Sequence, residues 1–195
     1  TGFDRTTGEL IQDDSLQGAN LRYGYQDFRE IWQAFNYEFL VLVSPEKQEI
    51  VERILGGLIN EKDAWQSSQE SASQQLADNP QDIYAAFNLL VAEYYLGNYQ
   101  AAVDRFEQIE ARLPGRMLWY QIEPILAYYQ LGRYDRVMSL TQEIFDSQNR
   151  AFSELHYVRG QIHLSRGESA AAAEAFNLAE QYNSSQYWLE NIPTQ

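Results

Sequence analysis

A chain of 195 residues and 22.6 kDa has the length of one ordinary domain, or of a small domain with an appendage. Its 14 Tyr, 9 Phe and 4 Trp, within a hydrophobic fraction of 45%, exclude disorder over the whole length. Twenty-eight acidic against 14 basic residues give a net charge of -14, which argues against a nucleic-acid binder, since that needs a cationic face, and against attachment to an anionic membrane. Cysteine is absent, so no disulfide, thiolate metal site or thiol nucleophile can form, although this does not fix a compartment. The chain opens on Thr1 rather than methionine, as expected of a cut N-terminus. No membrane span is expected: the longest apolar run, around Phe39 to Val43, falls far short of the roughly 20 residues required.

In chain order, Thr1 to Asp4 and Glu9 to Gln12 flank Arg5-Thr6-Thr7-Gly8 and predict a β-hairpin with glycine in its loop. Asp13-Asp14-Ser15 then turns. Tyr25 to Asn36 predicts a helix with Phe28, Ile31, Trp32 and Phe35 on one face. Glu38 to Val43 predicts a short strand apolar enough for burial on both faces. Left unpaired, that edge invites a dimer through the exposed N-terminal strands. A hairpin, one helix and one strand bury too little to fold alone, so residues 1–45 are expected to be the last part of a larger α+β domain.

The succession Thr-Gly-Phe-Asp, turn, Leu-Ile-Gln-Asp-Asp, then Tyr-Gly-Tyr-x-x-Phe-x-x-x-Trp and an apolar strand resembles the C-terminal end of papain-like cysteine peptidases of the bacteriocin-leader-processing type. The resemblance implies a Cys-His-Asp arrangement in which Asp14 would orient the imidazole, with Ser15 where that family carries proline. Tyr25, Phe28 and Trp32 match its aromatic helix. It also implies a bacterial, extracytoplasmic setting. Only the aspartate is present, since there is no Cys and no His before His156. These residues cannot perform peptide-bond hydrolysis, so either the Cys and His lie upstream of residue 1 or the parent is non-catalytic. Taken by themselves, Asp13 and Asp14 read equally as a turn pair holding backbone N–H groups.

Residues 46–80 read as a helical lead-in. Ser44-Pro45 supplies an N-cap and first helical residue for a helix to about Leu55, ended by Gly56-Gly57. Asn60 to Ala77 predicts another helix, stopped by Asn79-Pro80. Its Trp65, Ala72 and Leu76 suit a half-repeat that shields the helices after residue 80.

From residue 81 the chain repeats. Gly97, Gly132 and Gly167 are spaced 35 apart, each followed five residues later by Ala102, Val137 or Ala172, and nine later by Phe106, Thr141 or Phe176. Twelve later stand Ile109, Ile144 and Ala179. Helix pairs are predicted at Gln81–Leu96 with Tyr99–Leu113, Met117–Leu131 with Tyr134–Ser147, and Phe152–Arg166 with Ser169–Tyr182. Pro124 predicts a kink or a late helix start near Glu123. This frame, with Pro114 closing its first copy, resembles the tetratricopeptide repeat (TPR), a helix–turn–helix unit of about 34 residues. The fold class is therefore mainly α, a TPR-like solenoid over residues 81–195 preceded by a small α+β remnant of a peptidase-like domain. Tyr187, Trp188, Leu189 and Ile192 make a short apolar tail that could cover the last repeat.

In that frame the first helix of each pair lines a concave side. The expected groove residues are Tyr84, Phe87, Val91, Tyr94 and Tyr95, then Trp119, Ile122, Leu126 and Tyr129, then Tyr157 and Gln161, flanked by Glu154 and Leu164. The lining is aromatic, the chemistry of a peptide- or domain-docking groove. It lacks the Lys, Asn and Arg with which TPR domains grip acidic tails. Two readings stand: the groove holds a protein or peptide partner, including the chain's own N-terminal domain, or residues 45–79 fill it. His156 and His163, seven apart, read as packing residues and not as a metal pair, and no metal or cofactor site is expected. The function expected is a non-enzymatic interaction module; the alternative is the C-terminal part of a cysteine peptidase.

Overall fold

The computed structural model describes residues 2–147, 149 and 151–183. The chain divides into two compact units, Thr1–Leu96 and Gly97–Gln195. The breaks expected at 45 and 80 both fall inside the first. The apolar tail at Tyr187, Trp188, Leu189 and Ile192 lies outside the described residues. The molecule is mainly helical with one small antiparallel sheet, and no described helix is long and apolar enough to cross a membrane.

The first unit opens on a three-stranded sheet in the order β1 (Gly2–Asp4), β2 (Glu9–Asp14), β3 (Gly18–Gly24). In the β1–β2 hairpin Phe3 faces Leu10. The turn is tied by the Asp4 carboxylate, which accepts the amides of Thr6 and Thr7, and by Gly8 at φ +70°. These amides hold the Asp4 carboxyl below the usual range. The sequence reading misses β3, whose Gly18-Ala19-Asn20 opening lacks β-branched residues. Its register is set by carboxylates, because Asp13 accepts the Asn20 amide at 2.9 Å while Asp14 accepts those of Leu16 and Gln17.

Helix α1 (Tyr25–Gln33) follows without a loop. Tyr23, Phe28, Trp32, Tyr37 and Phe39 form an aromatic ladder with ring centroids 5.5 to 6.5 Å apart. Asn36 and Tyr37 take left-handed conformations, at φ 53° and 55°, and end the helix earlier than expected. The expected strand at Glu38–Val43 does not form. The residues have no regular structure, and all six are at least half-exposed or nearly so instead of buried on both faces. The left-handed pair redirects the chain, the Trp32 indole donates to the Glu38 carbonyl at 2.7 Å, and the described sheet consists of β1 to β3 without this segment.

A 3-10 turn at Pro45–Lys47 leads into α2 (Gln48–Leu55), and Gly56 ends it at φ 57°. Ser44 stands at the N-cap of that turn but its side chain makes no cap bond. α3 (Glu61–Asp78) starts under the Asn60 side chain, which accepts the Asp63 amide. α4 (Ile83–Tyr95) is capped by Asp82 through the Ala85 amide and is buried all round from Ala85 to Glu93.

The second unit is helical throughout: α5 (Tyr99–Ile109), α6 (Glu123–Gln130), α7 (Tyr134–Asp146), α8 (Ser153–Ser165) and α9 (Ser169–Tyr182). α5 stops at Ile109 and continues as a 3-10 turn to Arg112, short of the expected Leu113. Of the expected helix Met117–Leu131, only a 3-10 turn at Met117–Trp119 and α6 form. Proline fits the first turn of a helix, where no amide is needed, and Pro124 is the second residue of α6.

Gly97, Gly132 and Gly167 have φ of 81°, 68° and 75°, a region a Cβ penalises, and open space lies where that Cβ would stand. The backbone conformation, not crowding, requires glycine. Five, nine and twelve residues later the side chains are buried in every copy except Phe176, which is half-buried. Where the other copies carry phenylalanine, Thr141 donates to the Val137 carbonyl at 2.8 Å and accepts from Arg159 at 2.9 Å. Gly160 serves a different need: a Cβ there would come within 2.5 Å of the Phe176 ring, so glycine sets the close approach of α8 and α9.

Candidate functional site

In the first unit, α4 carries the expected groove residues Tyr84, Phe87, Val91, Tyr94 and Tyr95. Phe87 and Val91 are core, not lining: both are buried. Tyr84 and Tyr94 are half-buried and Tyr95 is exposed. The Tyr95 ring stacks on Trp65 of α3 at 4.0 Å and 6°. Part of the covering comes from the end of α1. Asn88 donates to the Gln33 carbonyl at 2.9 Å, and the Gln33 amide donates to Asp82 and Gln75.

Beside this junction lies a cavity of about 500 Å³. Its walls are Tyr37 to Phe39 and Val41, the residues Val51 and Leu55 of α2, Leu58, and one side of α3 from Ala64 to Gln75. Size and apolar lining are those of a binding pocket. Polar groups sit at fixed points: Ser68 donates to Asn36 at 2.9 Å, and Tyr37 reaches Gln75 at 3.4 Å. Asn88 also lines it, and its side-chain oxygen is buried without a hydrogen-bond partner. Glu38 is the one charged residue among those lining it. Sequence reasoning missed this cavity because its walls come from segments assigned to a strand and a lead-in. The succession of small Ser67, Ser68, Ser71 and Ala72 after Trp65 was the available signal.

The second unit separates residues that the repeat frame groups. Trp119 is directed to the end of α7, where its indole donates to Ser147 at 3.1 Å and Arg116 lies 4.9 Å over its ring. Ile122 is buried and is core, not groove. Leu126, Tyr129, Tyr157 and Gln161 are half-buried. Tyr129 lies 5.6 Å from Tyr134, Tyr157 lies 5.4 Å from Phe176, and Gln161 donates to the Tyr157 hydroxyl at 2.6 Å. Burial, then the neighbouring Tyr134 and Tyr157, raise the Tyr129 pKa. Tyr129 of α6 and Tyr134 of α7 thus pack together, Tyr157 of α8 is near enough to act on the ionisation of Tyr129, and all three are half-buried.

Several other ionisable groups make structural contacts. His156 stacks between Phe145 at 4.4 Å and Tyr182 at 5.5 Å, and His163 meets Glu168 at 2.5 Å. Tyr128 donates to Glu107, and burial, reinforced by that carboxylate, pushes its pKa up to about 12. Arg136 pairs with Glu110. Asp14 sits in the β2–β3 turn, where its carboxylate is engaged with the backbone amides of Leu16 and Gln17. Among the described residues, no three His, Asp or Glu side chains converge as metal ligands would.

No family model matches this sequence, and neither do curated proteins or solved structures. Its class is that of a mainly helical protein with a small three-stranded antiparallel sheet.

Proposed function

We propose that the protein is a non-enzymatic interaction module, a TPR-like series of helical hairpins that presents aromatic surface to a protein or peptide partner. The observation carrying this reading is the set of half-buried tyrosines on α6, α7 and α8, with Tyr129 packed on Tyr134 and Tyr157 held by Gln161. Tyrosine offers large apolar area with a polar tip and few rotatable bonds, so little freedom is lost when a partner covers it. Three evenly spaced glycines with φ > 0, which suit a hairpin series, support the repeat reading. The lining holds no Lys or Arg among these four residues, so an apolar or aromatic segment fits it better than an acidic tail.

The test is a displayed peptide library selected on the full chain and counter-selected on Tyr129→Ala/Tyr157→Ala. Enriched peptides should lose more than about 2 kcal/mol of binding in the double variant. Equal binding with a lowered melting temperature would make these rings core and end the proposal.

A further inference from the structure

The segment Phe39–Val43 has the form of a strand without a partner. Among the described residues, none of its backbone N–H or C=O groups enters a hydrogen bond. Exposure alternates along it: Leu40 and Leu42 are 84% and 86% exposed, while Phe39, Val41 and Val43 are 52%, 45% and 43%. That period of two is the signature of extended chain with two faces. The less exposed face belongs to the cavity, whose walls include Phe39 and Val41, and the Phe39 ring is steadied by Trp32 at 6.3 Å. An unpaired extended edge lying beside an apolar cavity is the arrangement that accepts an added strand, with backbone bonds giving affinity and pockets for alternate side chains giving selectivity.

Charge decides between occupants. The first unit carries 16 acidic and six basic side chains, and the second 12 and eight. A second copy would bring like charge to like charge, whereas a basic segment would be attracted. Glu38 lines the cavity, and the stretch that follows the segment carries Glu46, Glu49 and Glu52 against Lys47 and Arg53, so the local balance is also negative. We infer that Phe39–Val43 is a strand-addition site for an extended apolar segment of another protein flanked by Lys or Arg, whose alternate side chains enter the cavity beneath Phe39 and Val41. This site belongs to the first unit and the tyrosines of α6 to α8 to the second, and the inference does not rest on them.

The probe is a synthetic peptide of alternating valine and threonine with two lysines at each end, titrated into the full chain. A twin, N-methylated at alternate amides, keeps side chains and charge but loses the donors on one edge. Two such twins cover both edges. The plain peptide should bind and shift the amide resonances of Phe39–Val43. One twin should bind at least about tenfold more weakly. Binding should also survive Tyr129→Ala/Tyr157→Ala, which separates this site from the other. The inference fails if both twins bind as well as the parent, because simple apolar partition would then suffice. It fails if the shifts map elsewhere, or if no binding appears at about 1 mM peptide. It also fails if the chain alone dimerises through this segment, since the occupant would then be a second copy.

Discussion

The residues before Ala72 and those after it are held together by different means. From Gly2 to Ser71 no side chain is buried, whereas α4 alone buries nine in succession, Ala85 to Glu93. The early region leaves Phe3, Leu16, Ile31, Leu40, Leu42 and Ile54 exposed. Its geometry rests on solvent-exposed turn carboxylates that accept backbone amides and on aromatic contacts. A fully buried large apolar side chain contributes about 1.5–3 kcal/mol. One chain therefore shows two regimes: hydrogen bonds can specify a sheet, but burial gives a region its resistance to opening. Amide exchange should accordingly find β1 to β3 opening far more readily than α4 to α9.

Substitutions can break that contrast or sharpen it. The largest loss should come from Phe106→Ala, which empties a fully buried site 6.1 Å from the Tyr128 ring, at about 3–5 kcal/mol in urea unfolding. If Leu42→Ala costs as much, the contrast is wrong; it should stay within about 0.5 kcal/mol. Gly160→Ala drives a methyl into the Phe176 ring and should cost about 1–3 kcal/mol, with Phe176→Leu in the same chain recovering part of it. Gly132→Ala meets open space, so its cost of about 1–2 kcal/mol should come from φ alone and be smaller for Gly132→Asn.

Alkaline titration probes the buried side of the contrast in another way. Tyr128 ionises near 10 when unfolded and about 12 when folded, so the folded state keeps its proton longer. Its contribution is complete below pH 10 and falls as pH rises toward 12. The difference in stability between the parent and Tyr128→Phe should shrink across that window, and a constant difference would contradict it. A small effect is expected at Asp14. Asp14→Asn keeps an acceptor for the Leu16 and Gln17 amides and should be nearly neutral, whereas Asp14→Ala should cost about 1 kcal/mol in thermal unfolding.

The helical part was legible because its signals are local. Glycine spacing places the three hinges, Asn60 and Asn79-Pro80 bracket α3, and Pro124 marks the late start of α6. Composition could not say which apolar residues end up inside. The groove frame assigned Phe87, Val91 and Ile122 to a surface, yet their burial depends on what packs over them from distant sequence. Strand assignment failed in both directions for a related reason. Glu38–Val43 has strand composition but no neighbour to pair with, while β3 has poor composition but a neighbour, and pairing decides.

Chains built from similar hairpins run a shared hazard, the docking of one copy where another belongs. The Thr141–Arg159 contact is one that the places held by Phe106 and Phe176 cannot reproduce. Arg159 also reaches the Met138 carbonyl at 3.2 Å, and burial lowers its pKa, so the guanidinium is costly to leave without these acceptors. A copy with phenylalanine at that place offers no hydroxyl. The one polar residue among these places thus gives α7 and α8 a contact that phenylalanine could not supply, and Thr141→Phe would leave the Arg159 guanidinium with one acceptor fewer.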